Sequence, residues 1–504
     1  MKNLIKQLER SHEFWTIVSL SFLFFVLRLP SLFEPYWYGD EGIYETIGLA
    51  LRKGRILYTQ IWDNKPPLLY YTYALVHSNQ FLVRSLSLFV GVATLITFFI
   101  LAKKIFTNKI TAGIATGVLV ILFGLPSYEG NIANAENFMM LPIIIAGLFI
   151  YSLVDKSRPA SGGYLNTKSL AIAGLLLGVA FLYKIVAIFD FSAFFIFLII
   201  TTFGNKFSIK IVIKYISENW QRFLIFALCF LIPFLLSAFY FLIVGGLGEY
   251  IHAVFQSTVG YVGYKNTFII PQGLLITKIL LLSFVIVFLF IKRQKFAKST
   301  LFVLLWIGFS LFNSFFSQRP YTHYLIVLIP SFALLIGKIH ASREKMPTTI
   351  IFAILAVILS FTAIHYFNHW DSKGTINYYV NFAEFVTGKK SISNYNSFFD
   401  RKTTRDTEIV NYINTHSKST PSLFVWGNSA QLYPQTNSLP PGRFTVAYHI
   451  SGIKAYEKET REALAKNYPQ FIVIMDDASS YPFPMYNYNQ VLRIQNASIY
   501  ERIY

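Results

Sequence analysis

Long apolar runs return throughout the first 367 residues, and no other feature limits the folds open to this chain so tightly. A helix needs about 20 apolar residues to cross roughly 30 Å of hydrocarbon. Runs that meet or approach this length lie near residues 14–33, 81–102, 110–125, 138–154, 170–183, 186–203, 223–245, 274–291, 300–316, 324–339 and 348–367. They predict a polytopic α-helical membrane domain of about eleven spans over residues 1–367. The composition agrees, because 54% hydrophobic residues against 14% charged is too apolar for an ordinary soluble domain. The two runs that flank Lys184 read equally well as one bent or re-entrant element.

A net charge of +19 would suit a nucleic-acid partner if it formed one patch. Instead the lysines and arginines fall in short clusters in alternate connections, from Lys2, Lys6 and Arg10 through Lys103, Lys104 and Lys109 to Lys338, Arg343 and Lys345. This positive-inside pattern makes the partner a lipid bilayer and not nucleic acid. It sets a cytoplasmic N-terminus on an uncleaved first span of the cell membrane. The first loop (residues 34–80), the 131–137 loop and everything after residue 367 then lie on the extracytoplasmic side. The lone cysteine, Cys229, sits in an apolar run and reads as a small hydrophobe.

From residue 368 the hydrophobicity drops, and residues 368–504 read as a soluble extracytoplasmic α/β domain. Helices are expected near 406–416 and 454–467, with strands near 422–426, 471–475, 491–494 and 498–503.

Charge gathers on the outer side. Residues 36–73 hold Asp40, Glu41, Glu45, Asp63 and Lys65 among many tyrosines, Tyr44 included. Asp40 and Glu41 follow Gly39 and are suited to capping a helix that starts at Gly42, a role compatible with catalysis. Glu136, in YEGNIANAENF, is a third acid on the same face. Three carboxylates there suit either activation of a hydroxyl or oxygen ligation of a divalent cation, and the spacing does not choose between them. Facing them are Lys65 before two prolines, Arg84 at the start of the second span, Lys184 inside AFLYKIVAIF, and Arg319 before PYTHYLIVLIP. Each alone is explained by snorkelling. Four cations on the side that should be poor in them point to an anionic ligand such as a phosphate.

Taken in order, DEGIY after the first span, KPP closing the first loop, the arginine opening the second span, GLLLGVAFLYK, THYLIVLIP and the FVWG and FIVI strands resemble a known family. It is the GT-C polyprenyl-phosphate-sugar glycosyltransferases, and within it the bacterial relatives of protein O-mannosyltransferases and aminoarabinose transferases. The resemblance implies that Asp40 orients or deprotonates an acceptor hydroxyl, that Glu41 supports it, and that Glu136 is the second acid. It implies that Lys65 and Arg84 meet the donor phosphate, and Lys184, Arg319 and Tyr324 with them. Tyr44, Asp63 and His323 would line the substrate. Tyr183 stands where the family often has threonine.

The implied reaction is an inverting displacement of polyprenyl phosphate by a hydroxyl of a protein, lipid or glycan. A lipid-linked sugar flippase and a surface-polysaccharide polymerase or ligase are the alternatives. A transporter would place its ionisable groups deep in the spans, whereas here they crowd one surface. The α/β domain is expected to be an accessory to the acceptor side whose removal leaves donor binding intact. Sugar, acceptor and metal dependence leave no readable signature.

Overall fold

The computed structural model describes residues 12–156, 166–202, 209–257, 275–317, 321–342, 346–366, 372–417, 419–476 and 479–503. The expected boundary after residue 367 lies outside them. The membrane part runs α1 (His12–Arg28), α2 (Gly39–Arg52), α3 (Pro67–Leu75), α4 (Gln80–Phe106), α5 (Lys109–Gly124), α6 (Ala135–Lys156), α7 (Thr167–Tyr183), α8 (Ile188–Thr202), α9 (Ile209–Ile243), α10 (Leu275–Lys292), α11 (Lys298–Ser314), α12 (Ile329–Ala341) and α13 (Met346–Tyr366). Among the described residues six helical stretches are long and apolar enough to cross a membrane, and five shorter apolar helices accompany them. Together they match the eleven expected runs, and the chain is a multi-pass membrane protein.

Local sequence explains the helix starts. Asn79, Asn108 and Asn166 each cap a helix, their side-chain oxygens accepting from Leu82 N, Ile110 N and Lys168 N at 2.9–3.0 Å. Helix α2 differs from the expectation. It begins at Gly39, Tyr38 makes no side-chain cap, and Asp40 and Glu41 lie in the first turn, where the dipole favours acids. At Lys184 the backbone turns extended (φ −156°, ψ 128°) between α7 and the turn leading into α8, so the two runs there are separate elements.

Helix α7 packs against α6 and α9. Its Gly174 and Gly178 let α9 come close, since a Cβ at either would meet the carbonyl oxygen of Phe226 or Phe230 at 2.5 or 2.3 Å. Small residues one helical turn apart are what close packing between membrane helices demands. The GLLLG part of the motif therefore serves packing.

Beyond α14 (Ser372–Val386) a small C-terminal α/β domain carries α15 (Arg401–His416), β1 (Leu423–Trp426), α16 (Lys454–Asn467), β2 (Phe471–Met475), β3 (Tyr488–Ile494) and β4 (Ala497–Arg502). The sheet order is β1-β2-β4-β3, with β1 parallel to β2 and the other pairs antiparallel. This small domain shares a core with the first loop: Phe424, Trp426, Phe444 and Val446 cluster with Ile43, Tyr44, Ile47 and Trp62. Arg55 donates to the carbonyls of Pro440 (2.8 Å) and Gly442 (3.0 Å), and Trp62 N donates to Arg443 O at 2.8 Å. This common core ties the domain to the first loop.

Candidate active site

The first loop supplies one side of the site. Pro66 is extended and Pro67 opens α3, which sets the direction of the chain at Lys65. Lys65 Nζ lies 3.4 Å from Asp40 Oδ2 and 3.8 Å from Asp63 Oδ2, and 4.7 Å above the Tyr44 ring. Asp63 is held in turn by Asn64 N (2.8 Å) and the Tyr70 hydroxyl (2.7 Å). The Tyr44 hydroxyl donates to Asp40 Oδ2 at 3.0 Å. Both donors to Asp40 thus reach the same oxygen. Burial works to raise the Asp40 carboxyl, but Lys65, then His323 and the Tyr44 hydroxyl, outweigh it and hold the group below its ordinary range.

The membrane helices supply the other side. Glu136 opens α6 and accepts a hydrogen bond from Lys184, whose ammonium also lies 4.5 Å above the Tyr324 ring. His323 Nδ1 is 2.9 Å from Glu129 Oε2, and Tyr38 and Thr322 donate to the same carboxylate. Glu129 has a left-handed backbone (φ 57°), a conformation that costs a non-glycine residue roughly 1 kcal/mol or more. Its three partners join the entry to α2, the connection between α5 and α6, and the turn Thr322–Leu328.

Between the two sides lies a cavity of about 610 Å³. Asp40, Asp63, Lys65, Glu136, Lys184, His323 and Tyr324 all line it, so seven expected residues from four segments meet there. Tyr44 stands behind Asp40 and is buried. Arg319 lies outside the described residues.

Glu41 and Arg84 do not line the cavity. Arg84 is fully buried, bonded to Glu41 (2.5 and 3.1 Å), Glu34 Oε2 (2.9 Å) and the Ser31 carbonyl (2.7 Å). Glu41 also accepts from Ala133 N at 2.8 Å. The resemblance would have Arg84 at a phosphate and Glu41 assisting Asp40; here the Arg84 donors are engaged by two carboxylates and a carbonyl, and the guanidinium ties the segment after α1, which holds Ser31 and Glu34, to α2 and α4.

Sequence reasoning passed over Glu129 and His449. Glu129 lies in the same YEGNIANAENF stretch as Glu136, and only its pairing with His323 distinguishes it. His449 comes from the α/β domain, lines the cavity, and places Nε2 3.6 Å from Asp63 Oδ1. Burial pushes its imidazole down to about 4 against the pull of Asp63. Among the described residues no three His, Cys, Asp or Glu side chains gather closely enough to hold a metal ion.

Residues 64–236 match a family model described as dolichyl-phosphate-mannose-protein mannosyltransferase. That segment contains Lys65, Glu136 and Lys184, whereas Asp40 and His323 fall outside it. The crystal structure of ArnT from Cupriavidus metallidurans, bound to undecaprenyl phosphate, is 13% identical with a TM-score of 0.54. The alignment covers 97% of this chain and 98% of that one, a common fold that bears out the GT-C resemblance. The oligosaccharyltransferase of Archaeoglobus fulgidus, in complex with zinc and sulfate, is 11% identical at a TM-score of 0.46, covering 91% of this chain and 68% of that one. A search of curated protein sequences finds no match.

Proposed function

We propose that this protein is an inverting membrane glycosyltransferase that moves a sugar from a polyprenyl-phosphate donor to a hydroxyl acceptor. The observation that carries the reading is the Asp40 carboxylate. Its side chain is 37% exposed to the cavity, and Lys65 and Tyr44 both occupy Oδ2. Among the described residues no donor reaches Oδ1, which is left to receive a proton.

The acceptor oxygen attacks the anomeric carbon and its proton passes to Asp40. The bond from that carbon to the phosphate oxygen breaks, and its electron pair stays on the departing phosphate. Charge therefore grows on the phosphate, and Lys65 and Lys184 at the cavity wall stabilise it more in the transition state than before. His323, held by Glu129, adds a third nitrogen group beside them. A phosphate leaves without needing an acid, so one base with several cations is a sufficient set. The ArnT structure was determined with undecaprenyl phosphate, which supports a lipid phosphate as the donor's carrier here. The alternating basic clusters support an extracytoplasmic cavity and a cytoplasmic N-terminus.

The test is transfer of labelled sugar from a panel of prenyl-phosphate sugars by membranes holding wild type or Asp40→Asn protein, with and without a chelator. Asp40-dependent transfer with inverted anomeric configuration is the expected result, and the chelator arm decides the need for a divalent cation. A retained configuration removes the mechanism. Sugar-lipid movement across the bilayer that persists in Asp40→Asn, with no transfer from any donor, favours a flippase.

A further inference from the structure

A second cavity, of about 430 Å³, lies across the turn Thr322–Leu328 from the first. It is bounded by the end of α5, that turn, α12, α13 and the start of α14, and Leu122, Leu328, Phe332, Leu359, Ala363 and Ile364 give it an apolar lining. Among the described residues no Asp, Glu, Lys, Arg or His lines it. At the α14 end the hydroxyls of Ser127 and Thr375 are hydrogen-bonded to each other.

The turn between the two cavities is a 3₁₀ helix, in which side chains three residues apart eclipse. Leu325 and Leu328 therefore share the face on the second cavity, while Tyr324 and Val327 share the face on the first. One thin wall thus serves both cavities, and it carries His323 and Tyr324 into the candidate active site.

Water is a poor tenant for the second cavity, because a buried water needs about two to four polar partners. The surroundings offer hydrocarbon instead. Beside the cavity α13 turns Ile354, Val357, Ile358 and Phe361 outward, each 54–67% exposed, an apolar face that meets the bilayer.

We infer that the second cavity holds one acyl chain of a bilayer phospholipid, and that this chain braces the turn presenting His323 and Tyr324. An acyl chain matches the lining, and its ester carbonyl suits the Ser127–Thr375 pair: one hydroxyl donates to the other, and the accepting one keeps a proton to give. A prenyl-phosphate donor does not suit it, since its phosphate belongs with Lys65 and Lys184 across the turn. Occupancy of the site is independent of the transferase reading; its effect on turnover rests on that reading.

Full-length protein in detergent is irradiated with a phosphatidylcholine that carries a diazirine in one acyl chain, and the labelled residues are mapped by mass spectrometry. Label should appear on Phe332 and Ile364, saturate at one lipid per protein, and persist in excess undecaprenyl phosphate. Ala363→Phe fills the cavity, and Ile376→Trp narrows it at a position that is 61% exposed and tolerant of size. Each should cut the label on Phe332 about tenfold and leave the label on the outward Phe361 unchanged. With delipidated protein, added phosphatidylcholine should raise kcat/KM for sugar transfer about fivefold in wild type and have no effect in Ala363→Phe. Label confined to outward residues such as Phe361, or label displaced by undecaprenyl phosphate, overturns the site. Transfer that ignores phosphatidylcholine in a protein that takes the label overturns the brace. A wild type that takes saturable label but transfers no sugar from any donor keeps the site and overturns the transferase reading.

Discussion

Arg84 and Glu41, 43 residues apart in sequence, form a two-pronged ion pair with both side chains withdrawn from solvent. Its position behind the cavity makes it a brace for the helices that carry Asp40. Breaking such a pair leaves a buried charge without its partner, so Arg84→Met should destabilise the protein by about 3–5 kcal/mol. A thermal melt in detergent should register this as a lowered midpoint. An unchanged midpoint with lost binding of undecaprenyl phosphate would return Arg84 to the role of a ligand.

Asp40→Asn keeps the size of the side chain and removes the base. We expect kcat to fall by about 10²–10⁴, while binding of undecaprenyl phosphate stays at the wild-type level. Loss of both together would mean that Asp40 supports the site without taking the proton.

The pH dependence follows from Lys65. The Asp40 carboxyl is held low, so its ion pair contributes fully above the ordinary carboxyl range and fades as pH falls through the lowered value. Wild-type kcat/KM should therefore show no acid limb from Asp40 between about pH 5 and pH 8. In Lys65→Met the upward push of burial is left opposed only by His323 and Tyr44. The acid limb should then move to higher pH, and a limb that stays put would count against the pairing.

Glu129→Gln removes the charge that holds His323. A hydrogen bond to a charged group contributes about 1.5–3 kcal/mol, so kcat/KM should fall roughly ten- to a hundredfold. If Glu129 acts through His323, the double variant with His323→Asn should be no worse than His323→Asn alone. Additive losses would place the effect of Glu129 elsewhere.

Removing residues 368–504 would uncover Ile43, Ile47 and Trp62, which now pack against Phe424, Trp426 and Phe444. We expect the truncated chain to aggregate on size exclusion in detergent and to bind no undecaprenyl phosphate. A monodisperse truncation that binds normally would instead bear out an accessory whose removal leaves donor binding intact.

The sequence by itself determined the eleven apolar helices, the strands SLFVW and FIVIM, and the gathering of charge on one side. These are local properties: hydrocarbon thickness and strand pairing impose their composition residue by residue. Tertiary structure decided which charges do what. Asp40 and Glu41 are neighbours, yet about 100° of helix rotation separates their side chains, turning one to the cavity and the other to Arg84. Glu129 and Glu136 are both acids in one polar connection; contacts across 194 and 48 residues give the first to His323 and the second to Lys184. His449 enters the site only because its domain docks on the first loop. Pairings of that kind depend on packing between distant segments, which no local pattern records.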